Sequence, residues 1–321
     1  MIKKIILKFI APIDLVTAIL IIPCGYILFL YRRIGSSRLV LSTWVLRKIG
    51  VFPILDNYYE PLFCTDKLTK DLSSIRILPG INFNIANQIK LLGQLTYSSE
   101  LIQLTLGSTP SDIFDFKLGN GSFESGDAEF LYQFIRHFKP SKVIEIGSGN
   151  STKIAFKAMQ RNSQESSISF KHICIEPYEM PWLEDMHGVT VIRSKVEELD
   201  IDWHGALESG DLLFIDSSHI IRPQGDVLFE LLEILPNLKS GVFVHIHDIF
   251  TPRDYLSEWM IKDIKLWNEQ YIVEALLSNT HRYEIIAALN MLKHDHYDDL
   301  VKVCPYLDRS REPGSLYLRI L

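Results

Sequence analysis

The chain has 321 residues, 47% of them hydrophobic, with 33 basic residues against 39 acidic for a net charge of −6. That length fits one large domain with an appendage or two small domains. The composition excludes a disordered chain, a collagen-like repeat and a free-standing nucleic-acid binder. The charge is uneven: residues 1–50 hold eight Lys or Arg and one acid, Asp14, a net of +7, which leaves −13 on the remaining 271. A short basic, apolar end on a long acidic body points to a membrane-facing terminus on a soluble domain. The four cysteines, Cys24, Cys64, Cys174 and Cys304, show no CxxC pair and no regular spacing. They indicate neither a zinc site nor a disulfide framework and fit a reducing compartment.

Leu15 to Tyr31 is an uncharged run of 17 residues. As a helix it covers roughly 26 Å, marginal for a hydrocarbon core of about 30 Å. A cleaved signal peptide and a buried soluble helix are the alternatives. No small-x-small cleavage site follows the run, and the run is apolar on every face between basic clusters, so membrane attachment is the expectation. Pro23 and Gly25 sit mid-run and predict a kink or a re-entrant hairpin. The hairpin is placed slightly ahead of a single span, because it keeps Lys3, Lys4 and Lys8 on the same cytoplasmic side as Arg32, Arg33 and Arg38. Next, IGSSRLVLSTWVLRKIGVFPI interleaves Arg38, Arg47 and Lys48 with Leu, Val and Trp44, as an interfacial helix does. Residues 1–50 are thus read as a membrane anchor with an interfacial helix, and the soluble part as facing the cytoplasm.

Residues 51–120 read as a linker broken by Pro53, Pro61, Pro79 and Pro110, with one helical stretch, NIANQIKLLGQL, opened by Asn84 as a candidate cap. From residue 121 the pattern alternates: an amphipathic helix near Gly126 to Phe138, then apolar runs VIEI, HICIE, VTVIR, DLLFID and GVFVHIHD separated mostly by helical stretches. YEIIAAL and SLYLRIL are two more strand candidates. Residues 121–321 are therefore expected to form one α/β domain around a doubly wound, mostly parallel, seven-stranded Rossmann-like sheet. Trp259 and Trp267 have helical spacing and are read as core. The tract MLKHDHYDD, with His294, His296 and Asp298, is read as a solvated insertion between the last two strands.

VIEIGSGNST, Val143 to Thr152, is a buried strand running into a Gly-rich turn and then a helix. Gly147 and Gly149 let the backbone approach a ligand, and the helix N-terminus offers free N–H groups. Thr152 stands where a dinucleotide fingerprint has its third glycine, which weakens hydride chemistry. Glu176 ends the next strand, 27 residues past Gly149, where an acid can accept hydrogen bonds from ribose hydroxyls. At this point the sequence resembles the class I S-adenosylmethionine-dependent methyltransferases, EIGSGNS being similar to their first motif and CIEPYE to their second, over about Ser122 to Leu321. The resemblance implies a methyltransferase domain in which Glu145, Gly147, Ser148, Gly149 and Asn150 bind the cofactor with Glu176 on its ribose. Ser194, Lys195 and Val196 stand where the third motif's adenine contacts belong.

DLLFIDSSH puts Asp216 at the carboxyl end of the fourth strand, and GVFVHIHD puts His247 and Asp248 at the end of the fifth, so three residues converge on the crevice. The arrangement is similar to the metal-dependent catechol O-methyltransferase group, and the sequence from Asp216 to His219 resembles the DSxH of cephalosporin-hydroxylase-like relatives. That resemblance implies Asp216, His247 and Asp248 as ligands of a divalent metal and His219, with Asp216, as catalytic, His219 being the base. An imidazole among the ligands favours Mn, Fe or Zn over Mg. The alternative is that Asp216 and Asp248 only touch cofactor and substrate. His245, alternating with His247, is read as a hydrogen-bonded core histidine. Arg222 and Asp226 are either substrate-facing or solvated helix-start residues. The leading expectation is O-methylation of a small-molecule, lipid-linked or glycan acceptor. A metal-dependent hydroxylase-like enzyme and a non-catalytic membrane-tethered binding protein are the alternatives.

Overall fold

The computed structural model describes residues 2–57, 59–63, 67–106, 113–167 and 169–321; Cys64 and Pro110 lie outside them. The chain divides into two compact units, Met1–Thr69 and Lys70–Leu321.

In the first unit, α1 (Ile2–Ile34) runs unbroken through Pro12 and Pro23. Its stretch Ile10–Ile34, with a mean hydropathy of 2.3 and exposed along most of its length, is long and apolar enough to cross a membrane. The hairpin expected at Pro23 and Gly25 is corrected to a continuous helix. A proline in a helix forfeits one backbone hydrogen bond, whereas a turn at that point frees several. α2 (Val40–Ile49) follows and ends at Gly50, whose φ of +82° suits a left-handed cap. Tyr31, a buried residue of α1, joins the two helices through its hydroxyl and Thr43 Oγ1 at 2.6 Å, and Arg32 pairs with Glu60. Val40, Leu41, Trp44, Val45 and Ile49 are left exposed.

The second unit begins at Lys70 rather than near residue 120. Its α3 (Ile85–Leu92) adds Leu91 and Leu92 to the core and α4 (Ser98–Leu106) adds Leu101. Asn84 does precede α3, but with φ +53° its side chain donates to Glu284 at 3.0 Å instead of capping. α5 (Asp127–Phe138) packs on α6 (Asn150–Ser166). The sheet consists of β1 (Lys142–Ile146), β2 (Lys171–Ile175), β3 (Val189–Ile192), β4 (Leu212–Ile215), β5 (Phe243–Ile246), β6 (Tyr283–Ala288) and β7 (Leu316–Ile320), in the order β3-β2-β1-β4-β5-β7-β6. β7 lies between β5 and β6 and runs antiparallel to both, so the sheet is mixed, with six strands in one direction. The tract read as a solvated insertion instead forms α11 (Leu289–Asp295) and α12 (Tyr297–Val303), which bury Met291, Leu292 and Leu300. The other helices are α7 (Trp203–Ala206), α8 (Asp226–Phe229) continued by a π turn into α9 (Leu235–Asn237), and α10 (Glu269–Leu277).

Strand order reverses between β1 and β4, which opens a crevice at their carboxyl ends. The register brings chemistry to it: Ile146 pairs with both Ile175 and Ile215, and Ile215 with Ile246. The residues that follow, Gly147, Glu176, Asp216 and His247, therefore stand side by side along one edge.

Candidate active site

Gly147 turns the chain out of β1 at φ +78°, and a Cβ there would lie 1.8 Å from the carbonyl oxygen of Asp216. Only glycine fits. Gly149 is different: its φ of −175° is extended, and a Cβ would meet only Met180, at 3.6 Å. Glu176 accepts hydrogen bonds from the N–H groups of Tyr178 and Glu179, each at 2.9 Å, which closes a tight turn after β2. Between these loops opens a cleft of about 470 Å3, lined among others by Gly147, Glu176, Tyr178, Lys195, Asp216 and Arg222.

Of the residues expected around a cofactor, Gly147 and Glu176 line this cleft, and Ser148, Gly149 and Asn150 carry the loop on into α6. Glu145 does not line it. It is buried beneath the loop, where it accepts hydrogen bonds from Ser151, Thr152 and His172 at 3.1, 2.8 and 2.7 Å. Inward direction on a buried strand gives it a supporting role. His172 and Cys174 complete a compact group with Glu145, but the hydrogen bonds already engage both Glu145 oxygens, and burial pushes the Cys174 thiol up. Lys195 and Val196 also line the cleft. Arg222 and Asp226 also line it, and Asp226 accepts from the Ser218 N–H and hydroxyl at 3.0 and 2.7 Å.

At the other end of the crevice Asp216, His219, His247 and Asp248 converge. His219 Nε2 lies 3.3 Å from Asp216 Oδ1 and 3.6 Å from Asp248 Oδ2. His247 Nδ1 lies 3.3 Å from Asp216 Oδ1 and 3.6 Å from Asp248 Oδ1, while its Nε2 faces Asp127 Oδ2 at 3.8 Å. His219 and Asp248 have φ values of +60° and +58°, left-handed conformations that non-glycine residues adopt at a cost and that gather at functional sites.

The group whose ligand atoms all lie within 4.8 Å of one another is Asp216, His219 and Asp248. The sequence-based ligand set named His247 rather than His219; His247 Nδ1 stands as near to the two acids as His219 Nε2 does, and its ring packs on Phe123 at 5.0 Å between ring centroids. The left-handed turn at His219 folds its ring back over Asp216, three residues earlier, which spacing alone does not reveal.

Burial lowers the pKa of His219, but hydrogen bonds to Asp216 and Glu269 outweigh it and push the value up to about 10. Burial raises Asp216, yet the charges of His247 and His219 hold it well below the usual carboxylate range. For Asp248 burial prevails and the pKa rises.

Sequence reasoning missed Glu269, whose carboxylate meets His219 Nδ1 at 2.8 Å. It lies 50 residues from His219 at the start of α10, with no local pattern to mark it. Trp259 and Trp267, read as core, are half-buried and stand 5.1 Å apart, with Lys265 Nζ over both rings at 4.2 and 4.1 Å. His245 is the core histidine expected: fully buried, with Nε2 at 2.8 Å from Ser315 Oγ.

Comparison with known proteins bears on the same segment. Residues 144–249 match the model of a methyltransferase domain family. The match runs from β1 to the turn after β5 and so includes Gly147, Glu176, Asp216, His219 and Asp248. An uncharacterised protein of Archaeoglobus fulgidus is 26% identical over 195 residues, covering 55% of this chain and 83% of the relative. Among solved structures, a putative protein-L-isoaspartate O-methyltransferase from Plasmodium falciparum, crystallised with S-adenosyl-L-homocysteine, aligns at 14% identity and a TM-score of 0.28. That alignment covers 50% of this chain and 84% of the other.

Proposed function

We propose that this protein is an S-adenosylmethionine-dependent methyltransferase acting on a hydroxyl acceptor. One observation carries the reading: the segment that matches a methyltransferase domain family delivers Gly147, Glu176 and Asp216 to a single cleft, with Asp248 beside Asp216. The cleft fits the cofactor, since Glu176 offers a carboxylate to ribose hydroxyls beside the Gly147 turn, and Lys195 and Val196 stand on the adenine side. S-adenosylmethionine supplies the electrophilic methyl group. Methyl transfer requires in-line alignment more than covalent help, so the protein's task is to orient the acceptor oxygen and exclude water. Asp216 and Asp248 orient that hydroxyl, and as its oxygen takes the methyl group from the sulfonium its proton passes to the group formed by Asp216, His219 and Asp248.

Two carboxylates and an imidazole also suit a divalent cation such as Mn, Fe or Zn, and Mg less well. Asp216, His219 and Asp248 are the residues that would hold it, and it would lower the pKa of the acceptor hydroxyl. The same group supports a second reading, a metal-dependent hydroxylase-like enzyme on this fold.

The first unit is read as the membrane attachment. α1 crosses once and the exposed apolar side of α2 lies on the lipid surface, with Arg38, Arg47 and Lys48 at the headgroups. Five basic residues follow the apolar run against three before it, which favours the larger unit on the cytoplasmic side, where S-adenosylmethionine is made available. A lipid-linked or glycan acceptor fits that position, as does a small molecule that partitions there.

Calorimetry on the purified full chain tests the reading. S-adenosylmethionine and S-adenosylhomocysteine are expected to bind at one site and NAD not to bind; NAD in their place overturns it. Oxygen-dependent turnover with Fe and without methyl transfer would favour the hydroxylase-like reading.

A further inference from the structure

His219 is held in its left-handed conformation by three consecutive residues from a distant part of the chain. Its carbonyl oxygen accepts the N–H groups of Asn268 and Glu269 at 3.0 and 3.2 Å. Asn268 Oδ1 accepts the N–H of Ile221 at 2.6 Å, which fastens the far side of the same turn. The Trp267 indole lies 4.2 Å from the imidazole, centroid to centroid. Glu269 completes the mount with its carboxylate oxygen Oε2 accepting from Nδ1.

Glu269 is the unusual member. An acid in the first turn of a helix is ordinary when exposed, because it meets the positive end of the helix dipole. Here the side chain is fully buried, and its other oxygen, Oε1, has no hydrogen-bond partner among the described residues. A buried carboxylate is costly unless paired, and a packing role would be served at least as well by an apolar residue. The bond to His219 is what the charge is there to make.

We propose that Glu269 is the positioning residue of this site. By accepting the Nδ1 proton it fixes the ring so that Nε2, the other nitrogen, faces Asp216 and Asp248. Trp267 and Asn268 hold the same orientation by ring packing and backbone. The inference rests on reading Asp216, His219 and Asp248 as the reaction centre. It assigns to α10 a part in the chemistry that the methyltransferase-like segment, ending at residue 249, does not contain.

The test is nitrogen NMR of the full chain labelled with 15N-histidine, with the His219 ring signals assigned by their loss in His219→Gln. In the wild-type protein Nδ1 carries a proton shifted far downfield by the carboxylate. Glu269→Gln, which keeps the shape, is expected to lose that downfield proton. It should also move the Nε2 signal, which Glu269 does not touch, while the other histidines and the affinity for S-adenosylmethionine stay as they were. Glu269→Asp keeps the charge but shortens its reach, and is expected to give an intermediate Nδ1 shift. Asp216→Asn is expected to move Nε2 and leave Nδ1. If either Glu269 variant folds and leaves Nε2 unmoved, the positioning role is overturned. Absence of S-adenosylmethionine binding by the wild-type chain, with the Nδ1 and Nε2 responses intact, would instead overturn the methyltransferase reading and support the mount.

Discussion

Gly147 and Asp216 belong to different strands, and the missing side chain of the first makes room for the backbone of the second: a Cβ on Gly147 would stand 1.8 Å from the Asp216 carbonyl oxygen. The loop after β1 and the acid after β4 are thus one packed unit. Gly147→Ala is expected to destabilise the protein by about 2–4 kcal/mol through backbone displacement and a strained positive φ. Gly149→Ala, with an extended φ and only Met180 nearby, should stay within about 0.5 kcal/mol of wild type. Urea unfolding of both variants checks the contrast, and equal losses would contradict it.

Glu176 ties its turn through two backbone N–H groups and presents the same carboxylate to the cleft. Glu176→Gln is expected to weaken S-adenosylmethionine binding about tenfold, the equivalent of about 1.4 kcal/mol. Calorimetric affinities of the two proteins decide it; an unchanged value removes Glu176 from the cofactor site.

For the cation, reading Asp216, His219 and Asp248 as the ligands sets the two histidines apart. Asp216→Asn and Asp248→Asn should each lower Mn affinity by at least about tenfold, as loss of a ligand does, whereas His247→Gln should hold the metal nearly as well as wild type. Electron paramagnetic resonance of free Mn during titration measures this. Loss on His247→Gln with retention on His219→Gln would restore the ligand set expected from the sequence.

His245 gives a pH dependence with a definite sign. Burial, and then the neighbouring His247 charge, hold its pKa well below the ordinary value, with Asp216 opposing. The unfolded chain takes up this proton below about pH 6.5 and the folded protein resists it. The contribution is therefore complete above that pH and is lost as the pH falls below it. Between about pH 7 and about pH 5, wild-type stability in urea should fall more steeply than that of His245→Gln; parallel curves would show that His245 titrates normally.

The first unit should be separable from the cleft. Removing residues 1–69 is expected to release a soluble protein that binds S-adenosylmethionine as the full chain does, whereas the full chain should stay in membranes after carbonate extraction. Retention of the shortened protein in the membrane fraction would place the attachment elsewhere.

Local signals in the sequence determined the strands and what stands at their ends. VIEI, HICIE, DLLFID and FVHI are continuous apolar runs because central strands of a doubly wound sheet are buried on both faces. The residue after each run then falls at the crevice whatever the rest of the chain does. Gly147, Glu176, Asp216 and His247, with Asp248 next to it, were legible for that reason. The tertiary structure alone brought the His219 ring back over the acids, because the left-handed turn that does so is fastened by a chain segment far away in sequence. It alone brought in Glu269, 50 residues from its partner, and left Trp259 and Trp267 half-buried, though their helical spacing equally suits a core. It also kept α1 whole across Pro23, since helix continuity is set by the sum of neighbouring hydrogen bonds rather than by one residue's preference.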